Sequence, residues 1–513
     1  MSSNKKTMVN VICSIMVLAT NILINFWLSP YIVEHIGVEA NGFVTLASNF
    51  VTYAQLIVTA LNSMAARFIA IAYVKKDYKK ANMYYNSVFW GNLIIVAALI
   101  IPVVVGIAKL ENLIDLPENI NFDVKILFSF VFLNFFITTG LPNWDCGTFV
   151  TNRLERSYIP QMITKIIRCI VIFATFTILT PKVYYVGIAT IIATVLLLIC
   201  NWYNTKKLTP ELQVSLPPKK IICQKSALKE LVGAGIWNSI SNVGVMLLSG
   251  LDLIICNIFL GATQMGTLSL AKNIPDCLAQ LAEAIKNAFA PELTINYAME
   301  NKEAVLKSIN RAMKITTVIL TIPIAIVVVL GKEFFSLWVP TQDAQLLQIL
   351  SILSILGYMF TTGTQILYNV FQTVNKVKPN AIAMVVTGIV SSTITIILAK
   401  FTNYGIFAVA GVSTVCNLIR NMAFTLPTTA KYLGFKWNAF YKQVGISIIC
   451  SIILIITGTI VKQLFNNINS WAMLIVVGFI LGIIGLFINF FIILNRDERK
   501  YMITKIRSKL IRK

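Results

Sequence analysis

Fourteen long apolar stretches decide what this 513-residue chain can fold into. They run approximately over 8–28, 43–70, 86–107, 124–142, 157–179, 183–203, 231–252, 265–289, 312–330, 346–370, 380–399, 404–426, 442–461 and 471–494. A helix needs about 20 residues to cross about 30 Å of hydrocarbon, and these stretches are of that order. A backbone in lipid must satisfy its own N–H and C=O groups, so only helices and closed barrels can span. The segments are too long and too evenly apolar for barrel strands. The expected fold is therefore an all-α polytopic membrane protein with 14 transmembrane helices. Composition agrees: 57% of residues are hydrophobic and only 12% charged, against roughly 25% charged in soluble domains. The opening stretch, MSSNKKTMVNVICSIMVLATNILINFWL, has the basic start and apolar run of a secretory signal. It has no small-x-small cleavage site before Ser29-Pro30, and further spans follow, so it reads as a retained first helix.

The net charge of +22 is organised by these spans. Of 43 lysines and arginines, 30 fall at the two termini and in every second loop, beginning with Lys5, Lys6, Lys75, Lys76, Lys79 and Lys80. The alternate loops hold six: Lys109, Lys125, Lys182, Lys332, Lys400 and Lys462. That bias places both termini in the cytoplasm. It assigns the charge to topology and anionic lipid, with no nucleic-acid partner, and lays the basic tail from Arg496 to Lys513 against the inner leaflet. In the loop after the third span, Glu111, Asp115, Glu118 and Asp123 read as a hydrated face.

Nine scattered cysteines without a CxxC pair, and His35 as the single histidine, exclude a histidine-based metal or catalytic centre. No phosphate-loop or dinucleotide fingerprint occurs, and no cofactor is expected. The longest interior break, Thr205–Glu230, is rich in Pro and Lys. It divides the chain into a first lobe of six spans (1–204), a cytoplasmic linker (205–230), a second lobe of spans seven to twelve (231–427), and spans thirteen and fourteen with the basic tail (428–513). LSPYIVEHIGVEANGFVTLASNF in the first half and LSGLDLIICNIFLGATQMGTLSLAKNI in the second share a rhythm that hints at an internal repeat.

Charges inside the spans are the functional signal, because a charge in lipid is expensive. In SLAKNIPDCLAQLAEAIKNAF, Lys272, Asp276, Glu283 and Lys286 recur at helical spacing, so one face is charged and the other apolar. That face should meet a wet cavity or partner charges; Lys272–Asp276 and Glu283–Lys286 are spaced to pair with each other. Pro275 is placed to bend the helix. In the preceding span, Asn238, Asn242 and Asp252 share a face. Asn238, Asn242 and Trp237 suit sugar contacts, interhelical bonding serves the asparagines equally well, and a capping role suits Asp252. Lys165, Arg168, Arg420 and Arg67 lie within other spans, Arg67 also within snorkelling reach of headgroups, and Lys314 is expected at a helix start, reaching the headgroups. Seven cations against three carboxylates favour an anionic ligand, with arginine suited to phosphate.

On NILINFWLSPYIVEHIGVEANGFVTLASNF, LDLIICNIFLGATQMGTLSLAKNI and YVKKDYKKANMYYNSVFWGNL, the chain resembles the oligosaccharide flippases of polysaccharide biosynthesis. These belong to the multidrug/oligosaccharidyl-lipid/polysaccharide exporter superfamily. The resemblance implies a MATE-like fold of two lobes and a non-enzymatic protein of the bacterial cytoplasmic (inner) membrane. It further implies alternating-access transfer of undecaprenyl-diphosphate-linked oligosaccharide for O-antigen, capsule or exopolysaccharide. It makes Arg67, Arg168, Lys272, Lys286 and Arg420 the diphosphate candidates, and Asp276 and Glu283 the candidates for coupling to H+ or Na+. Lipid-linked oligosaccharide, anionic lipid and polysaccharide polymerase machinery are the implied partners. Two departures from related proteins matter: the first helix has Asn21 and Asn25 but no arginine, which fits a peptidoglycan precursor less well, and the first six spans hold no buried carboxylate, which counts against the cation-coupled mode of the related drug exporters. A cation-coupled drug or small-molecule antiporter is the alternative, and a membrane-embedded polymerase or ligase a more distant one, since the external loops are short.

Overall fold

The computed structural model describes residues 3–151, 153–215, 225–465, 468–495 and 499. Part of the linker (216–224) and all of the basic tail except Arg499 lie outside the described residues. Every regular element among them is helical. The first half contains α1 (Ser3–His35), α2 (Val38–Asn62), α3 (Ala65–Val74), α4 (Tyr78–Ala108), α5 (Asn121–Gly140), α6 (Cys146–Val150), α7 (Glu155–Ile178) and α8 (Tyr184–Leu208). Next come α9 (Lys225–Val245), α10 (Asp252–Leu260), α11 (Ala262–Ala298), α12 (Lys302–Trp338), α13 (Ala344–Thr361) and α14 (Tyr368–Thr373). The chain ends with α15 (Val377–Phe401), α16 (Gly405–Arg420), α17 (Leu426–Tyr432), α18 (Tyr441–Gln463) and α19 (Trp471–Ile493).

Thirteen helices among the described residues are long and apolar enough to cross a membrane, counting α2–α3, α9–α10, α13–α14 and α16–α17 as single interrupted spans. α11 is not among them: it has the length, 37 residues, but carries the row of charges. It stays helical through Pro275 and Pro291. Three of the spans change helical winding midway. A π-turn lies at Met246–Gly250, a 3₁₀ stretch at Thr362–Leu367 and another π-turn at Asn421–Thr425. Such turns free backbone groups that nearby polar side chains can take up.

At the ends that carry basic clusters, the connections are tight. Lys76, Glu300, Asn375 and Gly434 adopt left-handed backbone, with φ of 60°, 54°, 55° and 74°. Each lets the following N–H reach the carbonyl five residues back, as in Asp77 N to Ala72 O (3.0 Å) and Lys376 N to Phe371 O (2.8 Å). Asp77 and Asn301 then cap the next helix through Lys80 N (3.0 Å) and Ala304 N (2.9 Å).

The chain divides into two compact units, Met1–Leu270 and Ala271–Lys513. Unit 1 holds α1–α10 and the first turns of α11. Its core around Ile69, Tyr84, Tyr85 and Leu231 ties α3, α4 and α9. Unit 2 centres on Ile309, Met313, Leu367, Leu426 and Phe440.

Three details differ from the sequence reading. Lys314 does not begin a helix: α12 starts at Lys302, and Lys314 is buried a dozen residues in. The break after the sixth span is shorter, because α8 continues to Leu208 and α9 opens at Lys225. The acidic loop after α4 is not simply hydrated. Glu111 pairs with Lys125, Asp123 is buried and pairs with Lys182 (3.1 Å), and Asp115 binds the start of α11. Opposite charges within reach attract, and here the helix ends bring them together.

Candidate functional site

In unit 2 the charged row on α11 lies along its open face. Asp276 and Glu283 are exposed and Lys272 and Lys286 half-buried, while Ala271, Ile274, Leu278 and Ala282 are buried. Lys286 pairs with Glu283 (2.5 Å), and its backbone carbonyl accepts from buried Asn369 (2.7 Å). Asp276 and Glu283 lie within electrostatic reach of Tyr358, as does Tyr368. The Tyr368 hydroxyl donates to Asn421 (2.6 Å) and accepts from Arg420 Nη2 (2.7 Å). The same nitrogen donates to Asn417 Oδ1 (2.7 Å), and the guanidinium sits 5.3 Å from the Tyr368 ring centroid. Tyr368, Asn417, Asn421 and Arg420 thus form one hydrogen-bonded network at the end of α16. Tyr358, Tyr368, Asn417 and Asn421 were missed in the sequence. Asn417 and Asn421 flank Arg420 at i−3 and i+1, and that cluster of polar residues was the available signal.

In unit 1, Arg168 stands on α7 with its Nε buried and without a hydrogen-bond partner among the described residues. Lys165, one turn earlier, donates to Asn21 Oδ1 on α1. Asn21 of the first helix therefore serves a neighbouring cation. Arg67 is exposed on α3. Asn242 lines a cleft of about 340 Å³ between α2 and α9, with Thr52, Tyr53, Gln55, Thr59 and Ser249. Asn238 and Trp237 are half-buried and do not line it. Asp252 opens α10 and is buried. The polar side of α2 was missed, although Thr45, Ser48, Thr52, Gln55 and Thr59 recur at helical spacing. Four of those hydroxyls bond back to their own helix carbonyls, as Thr52 does to Ser48 O (3.1 Å), which lets them sit in an apolar span.

The two repeat-like segments meet in unit 1. Gly37 and Gly261, with φ of 127° and 94°, precede α2 and α11. Five residues further on, Gly42 and Gly266 are in direct contact, and a Cβ on Gly42 would lie 2.9 Å from Gly266 Cα. Buried Asn41 donates to Ser269 Oγ (2.9 Å), and Thr263 donates to Glu39 (2.6 Å). Beside them, buried Asn257 reads both backbone groups of Asp115: Asp115 N donates to its Oδ1 (2.7 Å), and its Nδ2 donates to Asp115 O (3.0 Å). The Asp115 carboxylate accepts from Ala262 N (3.0 Å), capping α11 from a distant loop.

Among the described residues no cluster of acidic, histidine or cysteine side chains could hold a metal ion. The arrangement offers cations, amides and hydroxyls on a helical frame. Residues 8–292 match the family of polysaccharide biosynthesis proteins. The chain belongs to that family. Over 491 residues it is 25% identical to the uncharacterized membrane protein EpsK of Bacillus subtilis (strain 168), covering 95% of each chain. Among solved structures it resembles an inward-facing MATE family transporter of the MOP superfamily (TM-score 0.64, 14% identity, 81% of this chain and 94% of that one). It also resembles the lipid II flippase MurJ in an inward closed conformation (TM-score 0.61, 15% identity, 93% and 98%). These likenesses show the MATE-like fold. The polysaccharide-biosynthesis protein is a multi-pass protein of the bacterial cytoplasmic membrane, with the fold of transporters and flippases.

Proposed function

We propose that this member of the polysaccharide biosynthesis family is a flippase. It carries undecaprenyl-diphosphate-linked oligosaccharide units from the inner to the outer leaflet by alternating access, for O-antigen, capsule or exopolysaccharide. The observation that carries this reading is the cationic excess inside the spans, above all Arg168, whose Nε is buried without a hydrogen-bond partner among the described residues. A buried donor left unmet on a cation is costly, and an anionic ligand is the natural relief. Arg67, Arg168, Lys272, Lys286 and Arg420 are the proposed diphosphate-binding cations. Asn238, Asn242 and Trp237 are the proposed sugar contacts; the cleft lined by Asn242 supports the middle one. Asp276 and Glu283 are the proposed coupling groups for H+ or Na+, in line with their exposure on α11. The functional lobes are proposed to be 1–204 and 231–427, joined by the 205–230 linker, with 428–513 attached to the second. Polymerase machinery would take the product on the far side, and no bond is made or broken in the step itself.

The test is leaflet-specific accessibility of lipid-linked oligosaccharide in cells lacking the protein. Accumulation on the inner side is the expected result. An unchanged leaflet distribution together with altered drug efflux would replace this reading with a cation-coupled antiporter.

A further inference from the structure

Arg420 also borders a second feature. A groove of about 520 Å³ runs between α15 and the end of α16, lined by Lys378, Ile382, Ala383, Val386, Arg420 and Phe424 among others, with no acidic residue in its lining. Arg420 is only 5% exposed. Its Nη2 is committed to Tyr368 and Asn417, whereas Nε and Nη1 are buried and have no partner among the described residues. A guanidinium held so deep should be hydrogen-bonded all round, since a buried donor left unmet forfeits its hydration without return. The ring of Tyr368 lies within cation–π reach of it, 5.3 Å from Cζ to the centroid. Lys378, at the first turn of α15, brings a second cation to the same groove.

The rest of the lining is apolar. Ile382 and Val386 are one turn apart on α15 and are 47% and 55% exposed. From Lys378 to Thr387 the groove follows the helix for about 14 Å at 1.5 Å per residue. A cationic head joined to an apolar track matches one ligand chemistry, a phosphate carried on a hydrocarbon chain. A soluble anion would leave the track uncovered, and a neutral lipid would leave Arg420 unmatched.

We propose that this groove is a binding site for an anionic phospholipid of the surrounding leaflet. Arg420 and Lys378 hold its phosphate, and one acyl chain lies over Ile382, Ala383 and Val386. The site does not rest on the flippase reading and would remain if the cargo were another molecule. If it holds, Arg420 serves a resident lipid and the diphosphate site rests on the other four cations.

The experiment measures thermal stabilisation and retained lipid by native mass spectrometry, on the full chain in detergent. The additions are phosphatidylglycerol, phosphatidylcholine, undecaprenyl phosphate or inorganic phosphate. Phosphatidylglycerol is expected to stabilise the wild type and stay bound, while phosphatidylcholine and inorganic phosphate do neither. Arg420→Gln should weaken phosphatidylglycerol binding about tenfold, the loss of a charge-assisted hydrogen bond. Val386→Trp, at an exposed position, should obstruct the track with both cations intact and weaken binding to a similar degree. Equal stabilisation of wild type and both variants would overturn the site. So would an equal effect of phosphatidylcholine, an effect of inorganic phosphate alone, or binding of undecaprenyl phosphate with phosphatidylglycerol inert.

Discussion

Gly42 and Gly266 touch backbone to backbone, each five residues beyond a glycine of positive φ that starts its helix. A Cβ on Gly266 would lie 2.4 Å from Val38 O, a backbone atom that cannot rotate away. Close approach of this kind is how small residues let membrane helices pack without a hydrophobic drive between them. Gly266→Leu should force α2 and α11 apart and cost about 1–3 kcal/mol, in line with overpacking elsewhere. Gly478→Leu, where nothing lies within 4 Å of the added Cβ, is the control. Equal melting temperatures for the two variants would show that the crossing is not tight.

Asn257 and Asp115 form the neighbouring clasp. Asn257→Leu removes both hydrogen bonds to the Asp115 backbone, at about 0.5–1.5 kcal/mol each, together with the packing of a buried amide. Asp115→Ala removes only the cap on α11, at about 1 kcal/mol. Asn257→Leu should therefore lower the melting temperature more than Asp115→Ala; the reverse order would count against the clasp.

On α4, Asn82, Asn86 and Trp90 read the backbone of the extended segment Glu211–Ser215. Asn86 Nδ2 donates to Gln213 O (2.9 Å) and Ser215 N donates to Asn86 Oδ1 (2.8 Å). Asn82 does the same for Glu211 O (2.7 Å) and Gln213 N (2.9 Å), and Trp90 donates to Ser215 O (3.3 Å). Spacing of four along a helix meets spacing of two along an extended chain. Asn86→Leu should release the segment and speed its limited proteolysis. Asn86→Asp keeps the acceptor and loses the donor, so its cleavage rate should fall between those of wild type and Asn86→Leu. Identical rates in all three would mean that the ladder does not hold the segment.

Cys146 sits between spans and is 1% exposed. Burial, and then the neighbouring Asp145, push its thiol up to about 12. At neutral pH it is a protonated, inaccessible thiol, and the thiolate is the reactive form. Maleimide should leave Cys146 unmodified in the folded protein and modify it after denaturation, as read by peptide mass spectrometry. Rapid labelling of the native protein would contradict its placement.

Much of this architecture was legible in the sequence because hydropathy is a local property. Each span is announced by its own residues, and the rank of charges on α11 follows from periodicity alone, which is why Asp276 and Glu283 emerge on one open face. Lys314 was misplaced because α12 carries polar residues for three turns before its apolar stretch, and hydropathy marks the stretch, not the helix. The acids after α4 were misjudged for another reason: nothing local shows that a lysine or a helix end will arrive beside them.

The sequence by itself determined the solvent, the helical class and the approximate number of crossings, since about 20 apolar residues in a row permit little else. Only the tertiary structure decided the partners. Asn41 finds Ser269 at 228 positions' remove, and Asp115 finds Asn257 at 142. Arg420 has one nitrogen bound by Tyr368 and Asn417, and two buried ones without a partner among the described residues. Which polar groups meet depends on how closely distant helices approach, and that distance is set by packing across the whole unit.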